Sequence, residues 1–207
     1  MTDDGVSEML AAVGHTSFET EFYSPIPEGY KAGKTKYVVV VGTVMSGLGK
    51  GIFSSSLAKI LKDKGLKVAP IKMEGYLNLD SGTLNPFRHG EVFVLDDGME
   101  TDMDLGTYER MLNENLNRFN FTTSGQIFTR VLDRERAGGY LGRDVQMIPH
   151  VTGEVKNRCG NWRPRRRRMW CLLRWGGRWG IMRMGTLLRR CASWRMRRGS
   201  TACAWWR

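Results

Sequence analysis

Apolar residues alternate between strand-like and helix-like patterns from residue 36 onward. Residues 37–41 are a continuous, mostly β-branched run, which is typical of a strand covered on both faces. Residues 52–64 place apolar side chains at helical spacing, Gly65 suits the position after a helix end, and residues 67–73 form a second strand-like run. A strand, a glycine-rich loop, a helix and a strand make a βαβ unit, which predicts an α/β fold with a mostly parallel sheet.

Shorter patterns continue as far as residue 148. Residues 91–96 and 145–148 are predicted to be short strands, and residues 104–117 and 124–136 are predicted to be helices. Residues 1–35 show no sustained period, so we interpret them as an N-terminal extension and assign them no chemistry.

Charge divides the chain near residue 158. Residues 1–158 contain 18 of the 32 Lys and Arg and all 21 Asp and Glu, whereas residues 159–207 contain 14 Arg, no acidic residue, all seven Trp and all four Cys. We therefore predict a disulfide-free domain over residues 36–158 and a disordered basic tail without a native fold over residues 159–207.

No run approaches about 20 apolar residues and the acidic start lacks the cationic segment of a secretory signal, so we expect a cytoplasmic protein without a membrane partner.

The loop between the first strand and the first helix has the composition of a phosphate-binding loop. Residues 42–51 read GTVMSGLGKG, so small residues let backbone N–H groups approach phosphate oxygens while Lys50 supplies a positive charge. The standard P-loop has glycine where Val44 stands and a hydroxyl residue where Gly51 stands. Without that hydroxyl, carboxylates elsewhere must hold the magnesium ion. The alternative is a glycine-rich turn with a solvated lysine.

Three features downstream are candidates for chemistry. Lys72 ends the second predicted strand, where open α/β sheets collect ligands, although it is equally placed to be a flanking surface lysine. His89 is either a proton donor or a packed loop histidine. Five acidic residues within nine positions form either a solvated loop or an oxygen-ligand site for Mg²⁺; they are Asp96, Asp97, Glu100, Asp102 and Asp104.

Several longer strings occur in a fixed order between residues 36 and 158. They are SGLGKG at 46–51, YLNLDSGT at 76–83, HGEVFVLDDG at 89–98, TDMDLGTYER at 101–110 and VQMIPHVT at 145–152. Together they resemble the N-terminal synthetase (amidoligase) domain of the CTP synthase family. The resemblance implies an incomplete P-loop NTPase-like, Rossmann-like fold. It disfavours a different P-loop ligase such as dethiobiotin synthetase.

The resemblance also implies a reaction and a set of roles. ATP phosphorylates O4 of UTP, ammonia from solution or from glutamine attacks C4, and phosphate departs to leave CTP. Carried over by motif, Lys50 and Lys72 would be catalytic, Ser46 and Lys72 would contact the pyrimidine nucleotide, and Asp104 would hold Mg²⁺ at the ATP site. ATP itself would be cradled by Gly47, Leu48, Gly49, Lys50, Gly51 and Ile52. The family forms homotetramers, so a homo-oligomer is expected. In this chain we expect ammonia to come from solution.

Departures from the family pattern affect the geometry of the UTP site more than the fold. Thr43 replaces a usual glycine, residues 74–75 read Glu-Gly instead of Asp-Pro, Phe119 and Phe121 interrupt an Asn-rich string, and Ser124 is inserted.

The tail does not continue the family pattern. One interpretation is an Arg/Trp-rich segment that binds nucleic acid, with an affinity that falls steeply as salt is raised. We favour translation out of frame from Cys159 onward, which makes nucleic-acid binding an unlikely role. When the third base of each codon is read with the next two bases, Met169/Trp170 and Trp170/Cys171 must each give Val, and Trp175/Gly176 must give Gly. Permitted codons then allow VVFVEVGGTVGD, in which the family's magnesium-binding Glu straddles Leu173 and Arg174 and the loop Asp straddles residues 180 and 181.

Sequencing the genomic locus around codon 158 tests this hypothesis. We expect one base to be missing near the Cys159 codon relative to a frame that encodes the family's helix, strand and loop. An intact frame through that codon, with no lost base, would rule the hypothesis out and leave a chain of nucleotide-binding ancestry with a true basic tail.

Overall fold

A computed structural model describes residues 35–41, 49–160, 169–176 and 202–205 of the chain. The N-terminal extension and positions 42–48 of the glycine-rich loop lie outside these residues. Along the chain the strands are β1 (Thr35–Val41), β2 (Lys67–Glu74), β3 (Val92–Val94), β4 (Glu100–Asp102), β5 (Phe121–Thr123), β6 (Met169–Gly176) and β7 (Ala202–Trp205). The helices are α1 (Lys50–Asp63), α2 (Pro86–His89), α3 (Met103–Leu112), α4 (Ser124–Arg136) and α5 (Thr152–Gly160).

Five strands form one sheet in the order β5-β2-β6-β1-β7, and every pairing in it is parallel. β3 and β4 form a separate antiparallel pair. The α/β class with a mostly parallel sheet is thus confirmed for the described residues. None of the described helices has the length and apolar character needed to cross a membrane.

The central strand β6 comes from the basic tail, where the apolar pattern predicts no element. It lies between β1 and β2, and its register pairs Leu173 with Ile71 and Arg174 with Lys72. The strand therefore occupies the segment for which the out-of-frame hypothesis predicts a family strand.

The two faces of β2 belong to two separate cores. Side chains alternate along a strand, so Val68 packs with α1 and α3 while Ile71 and Met73 pack on the opposite face with α4 and α5. Helices thus cover both faces of the sheet, as the continuous apolar runs of β1 and β2 predict. Tyr108 of α3 is buried in the first of these cores.

Helix ends explain where the structure agrees with the predicted helices and where it differs. Gly65 has a φ of 77° and its N–H donates to the Lys62 carbonyl at 2.8 Å, which ends α1 as predicted. The predicted helix over 104–117 is wrong in length because Asn113 adopts a left-handed conformation with a φ of 49°. The N–H of Leu116 then donates to the side chain of Glu109 at 2.7 Å instead of continuing a helix.

The predicted strand at 145–148 is also wrong. Residues Met147–Val151 form a kinked helical turn that leads into α5. Pro149 has no N–H to donate, and the N–H of Gln146 donates to Nδ1 of His150 at 3.0 Å, so these backbone groups do not support a ladder. Burial lowers the pKa of His150, which favours the neutral ring that accepts this bond.

A buried guanidinium joins α5 to the segment that contains β5. Arg158 donates to Thr122 Oγ1 at 2.9 Å and to the Arg118 carbonyl at 2.5 Å, and its guanidinium lies over the Phe119 ring at 5.1 Å. Burial lowers the pKa of Arg158 to about 10, so the side chain stays protonated at neutral pH. Phe119, a departure from the family pattern, is thus part of a packed contact.

We predict that Arg158→Ala lowers the free energy of unfolding by about 2–3 kcal/mol, because buried acceptors lose a charged donor. Urea denaturation of the full chain measures the change. Arg136→Ala is the matched control, since that side chain is 87% exposed, and it should alter stability by less than about 0.5 kcal/mol. Equal effects of the two substitutions would contradict the stabilising role of Arg158.

Candidate active site around Lys72

A buried ammonium group surrounded by carboxylates is the most strongly charged arrangement within the described residues. Lys72 Nζ lies 2.6 Å from Asp104 Oδ2 and 3.1 Å from Glu74 Oε1, and it also contacts Asp102 Oδ2. The lysine side chain is only 2% exposed. Lys72 is therefore not the flanking surface lysine that the sequence left open. We call these four residues the Lys72 cluster.

Each member of the cluster is placed by an element end or by strand periodicity. Lys72 and Glu74 are two residues apart on β2, so both project from the same face of the sheet. Asp102 ends β4 and caps α3, since its Oδ1 accepts the N–H of Asp104 at 3.2 Å. Asp104 lies in the first turn of α3, where a negative charge is favoured by the helix dipole. The pairing of β2 with β5 holds Lys72 opposite Phe121.

The charges of the Lys72 cluster do not balance. One ammonium faces three carboxylates, so the acidic groups outnumber the basic group by two. The side chain of Asp104 is 25% exposed, against 14% for Asp102 and 11% for Glu74, so Asp104 is the carboxylate that a ligand from solvent reaches most easily. The cluster thus favours a cation at its exposed side.

The donor set fits magnesium held jointly with a phosphate ligand. Within the part of the chain that the structure describes, no three acidic, histidine or cysteine side chains are arranged to hold a metal ion by themselves. Mg²⁺ does not require such a cage, because it is usually bound by one or two carboxylates together with substrate phosphates and water. Asp104 has the chemistry and the exposure for that role.

The acidic run from Asp96 to Asp104 divides into two parts. Asp96 accepts from the side chain of Asn115, and Asp97 accepts from the backbone N–H of Arg118 at 2.7 Å. Desolvation raises the pKa of Asp97, but hydrogen bonds from Arg118 and Met99 outweigh it and hold that pKa below its usual range. The first part therefore stabilises a turn, and the second part supplies Asp102 and Asp104 to the Lys72 cluster.

The glycine-rich loop is described only at its end. Gly49 caps α1 with a φ of 71°, Lys50 is the first residue of α1, and Ile52 is 65% exposed. Gly51 follows Lys50 in the first turn. Ser46, Gly47 and Leu48 lie outside the described residues, so their predicted roles stay predictions.

His89 lies at the exposed end of α2. Its ring contacts Tyr76 edge-on, with 6.0 Å between the ring centroids. Tyr76 is linked to Ser81 by a 3.0 Å hydrogen bond, and burial raises the pKa of the Tyr76 hydroxyl. The ring contact corresponds to the packed-histidine interpretation of His89.

Sequence reasoning singled out Lys72 and Asp104 but gave Glu74 and Asp102 no separate role. A signal for Glu74 was present, since a residue two positions from Lys72 on a strand shares its face. Asp102 was counted in the acidic run, and its capping position before α3 was a further signal.

Comparison with known proteins decides the family. The sequence profile described as CTP synthase N-terminus matches residues 36–204 of this chain. The chain belongs to the CTP synthase family. It is 58% identical over 123 residues to the CTP synthase of Thermosipho africanus, 57% over 122 residues to that of Dictyostelium discoideum and 54% over 124 residues to that of Levilactobacillus brevis.

These matches cover 59–60% of the chain but only 21–23% of the length of each relative. Their length of 122–124 residues equals, within one residue, that of the segment 36–158 in which the family strings occur. The family profile extends further and includes β6 and all of β7 except Trp205. The identity with these CTP synthases therefore extends over part of the chain, and the predicted domain bounds at residues 36 and 158 stay predictions.

We predict that Lys72→Met lowers the free energy of unfolding by about 3 kcal/mol, because it leaves three carboxylates close together without their ammonium partner. Added MgCl₂ should raise the melting temperature of this variant more than that of the unmodified chain, since a divalent cation relieves the same repulsion.

Lys59→Met is the matched control, because Lys59 forms an exposed ion pair with Asp63 at 2.6 Å on α1. It should change neither stability nor the response to magnesium appreciably. If Lys72→Met and Lys59→Met respond equally to MgCl₂, the carboxylates of the Lys72 cluster do not attract a divalent cation.

Proposed function

We propose that this chain descends from the ATP-dependent amidoligase half of CTP synthase, a cytoplasmic ligase of pyrimidine nucleotide synthesis that converts UTP to CTP. The observation that carries the proposal is the 2.6 Å contact between Lys72 and Asp104. The family resemblance assigns these residues to the UTP side and to the magnesium at the ATP site. The ATP phosphate and O4 of UTP must be adjacent for the transfer. The contact between the side chains of Lys72 and Asp104 supports such an arrangement.

Phosphoryl transfer to O4 of UTP depends on positioning and on charge neutralisation. Lys50, at the start of α1, would bind the ATP phosphates together with the backbone of Gly47, Leu48, Gly49, Gly51 and Ile52. Ser46 and Lys72 would contact the pyrimidine nucleotide, and the buried ammonium of Lys72 would stabilise negative charge near O4. Asp104 would hold Mg²⁺, which when bound neutralises charge on the phosphates. Ammonia would then replace the activated oxygen at C4.

The residues of the central strand β6 support weak turnover of UTP to CTP. Opposite Ile71 and Lys72, β6 carries Leu173 and Arg174, the two residues that the family's magnesium-binding Glu straddles in the shifted frame. Neither leucine nor arginine has a side-chain oxygen with which to coordinate Mg²⁺. We therefore propose a chain that retains nucleotide binding and has lost most of its ligase activity.

Calorimetric titration with ATP and UTP in the presence of MgCl₂, together with an assay of CTP formation from UTP, ATP and ammonium, tests the proposal. We expect measurable ATP binding that Lys50→Ala abolishes and Lys59→Ala does not. CTP formation should be absent or at least about 100-fold below that of a version in which the lost base is restored, since each ~1.4 kcal/mol of lost transition-state stabilisation costs tenfold in rate.

Two results would contradict the proposal separately. Robust CTP formation by the chain as it stands would disprove the loss of activity. Absence of ATP binding by the unmodified chain would disprove the retained nucleotide site.

A further inference from the structure

Two buried hydroxyl groups connect α1 with α3. Ser54 on α1 is fully buried and Tyr108 on α3 is 1% exposed, and their hydroxyl oxygens are hydrogen-bonded to each other. They are 54 residues apart in the sequence. The roles assigned above to Lys50, Lys72 and Asp104 involve neither hydroxyl.

The Ser54 hydroxyl also contacts the backbone at the start of its own helix. Its Oγ donates to the carbonyl of Lys50 at 2.7 Å, with the Gly51 carbonyl at 3.0 Å. Either hydroxyl can donate in the bond between Ser54 and Tyr108. The two hydroxyls and the Lys50 carbonyl therefore form a relay that connects α3 with the first turn of α1.

The relay joins the two halves of the proposed ATP site. Ser54 lies one turn after Lys50, and Tyr108 lies one turn after Asp104, so the contact ties the N-terminal part of α1 to the middle of α3. A second tie exists near their ends, where Lys62 contacts the Leu112 carbonyl and forms an ion pair with Glu114 at 2.7 Å. α1 and α3 therefore run in the same direction and are fixed to each other at two points.

We propose that Ser54 and Tyr108 are positioning residues that set the distance between the phosphate-binding end of α1 and the carboxylate of Asp104. The inference rests on the proposed function. Mg²⁺ requires nearly octahedral geometry with oxygens at about 2.0–2.1 Å, so a metal shared between ATP and Asp104 tolerates little displacement of α3 relative to α1. Binding of ATP without metal does not involve Asp104 and tolerates that displacement.

The test measures ATP affinity by calorimetry with MgCl₂ and with EDTA, using the full chain and the variants Tyr108→Phe, Ser54→Ala and the double variant. We expect Tyr108→Phe to weaken the binding of magnesium-ATP by about fivefold, the equilibrium effect of losing one hydrogen bond, and to leave metal-free ATP affinity unchanged. Because the two hydroxyls act in one relay, the double variant should be no weaker than Ser54→Ala alone.

Thr107→Ala is the matched control, since Thr107 is the neighbour of Tyr108 and its hydroxyl donates to Met103 within α3 at 3.3 Å. It should not change the ratio of the two affinities. Ser54→Ala provides an independent result if Tyr108→Phe does not fold, because alanine favours the helix.

Equal weakening of ATP binding with and without magnesium would show a merely structural role and overturn the inference. Unchanged magnesium-ATP affinity in both single variants would also overturn it. Failure of the unmodified chain to bind magnesium-ATP would overturn the proposed function and this inference together. That outcome is recognised without any variant.

Discussion

The burial of one ammonium group determines the arrangement of the charged centre. Lys72 lies on β2 with 2% of its side chain exposed, and a lone charge there would carry a large desolvation cost. Three carboxylates from β2, β4 and α3 offset that cost by direct contact. Because Asp102 and Asp104 stand at the junction of β4 and α3, satisfying the lysine also fixes where α3 begins. Fold stability and site geometry therefore depend on the same contacts.

The packing of α1 against α3 extends this constraint to the start of α1, where we propose that phosphate binds. Buried Leu105, Tyr108 and Leu112 place α3 in the core that also contains Ala58 of α1. The Ser54–Tyr108 bond and the Lys62–Leu112 contact add directional restraints that apolar packing alone does not give. A nucleotide bound at the start of α1 would thus face a carboxylate whose position is set independently of the nucleotide.

In the central strand β6, pairing within the sheet and the ability to coordinate a metal depend on different groups. Parallel pairing of β6 with β1 and β2 uses backbone groups, which every residue except proline offers in full. Met169–Gly176 can therefore occupy this position in the sheet whatever its side chains are. Coordination of a metal depends on the side chain, and Leu173 and Arg174 do not offer a carboxylate. A chain can in this way keep a strand of an α/β sheet whether or not the strand carries a metal ligand.

Local pattern in the sequence by itself determined β1, α1, β2 and α4, because apolar periodicity and helix-end residues such as Gly65 act over a few neighbouring positions. It also singled out Lys72 by its place at the end of the second predicted strand and Asp104 as part of a family string, although their roles in binding remain predictions. It failed at residues 145–148, where Pro149 and the side chain of His150 remove backbone groups from a strand. The contacts of Lys72 with Asp102 and of Ser54 with Tyr108 join residues 30 or more positions apart, and only the packing of helices on the sheet decides such distances.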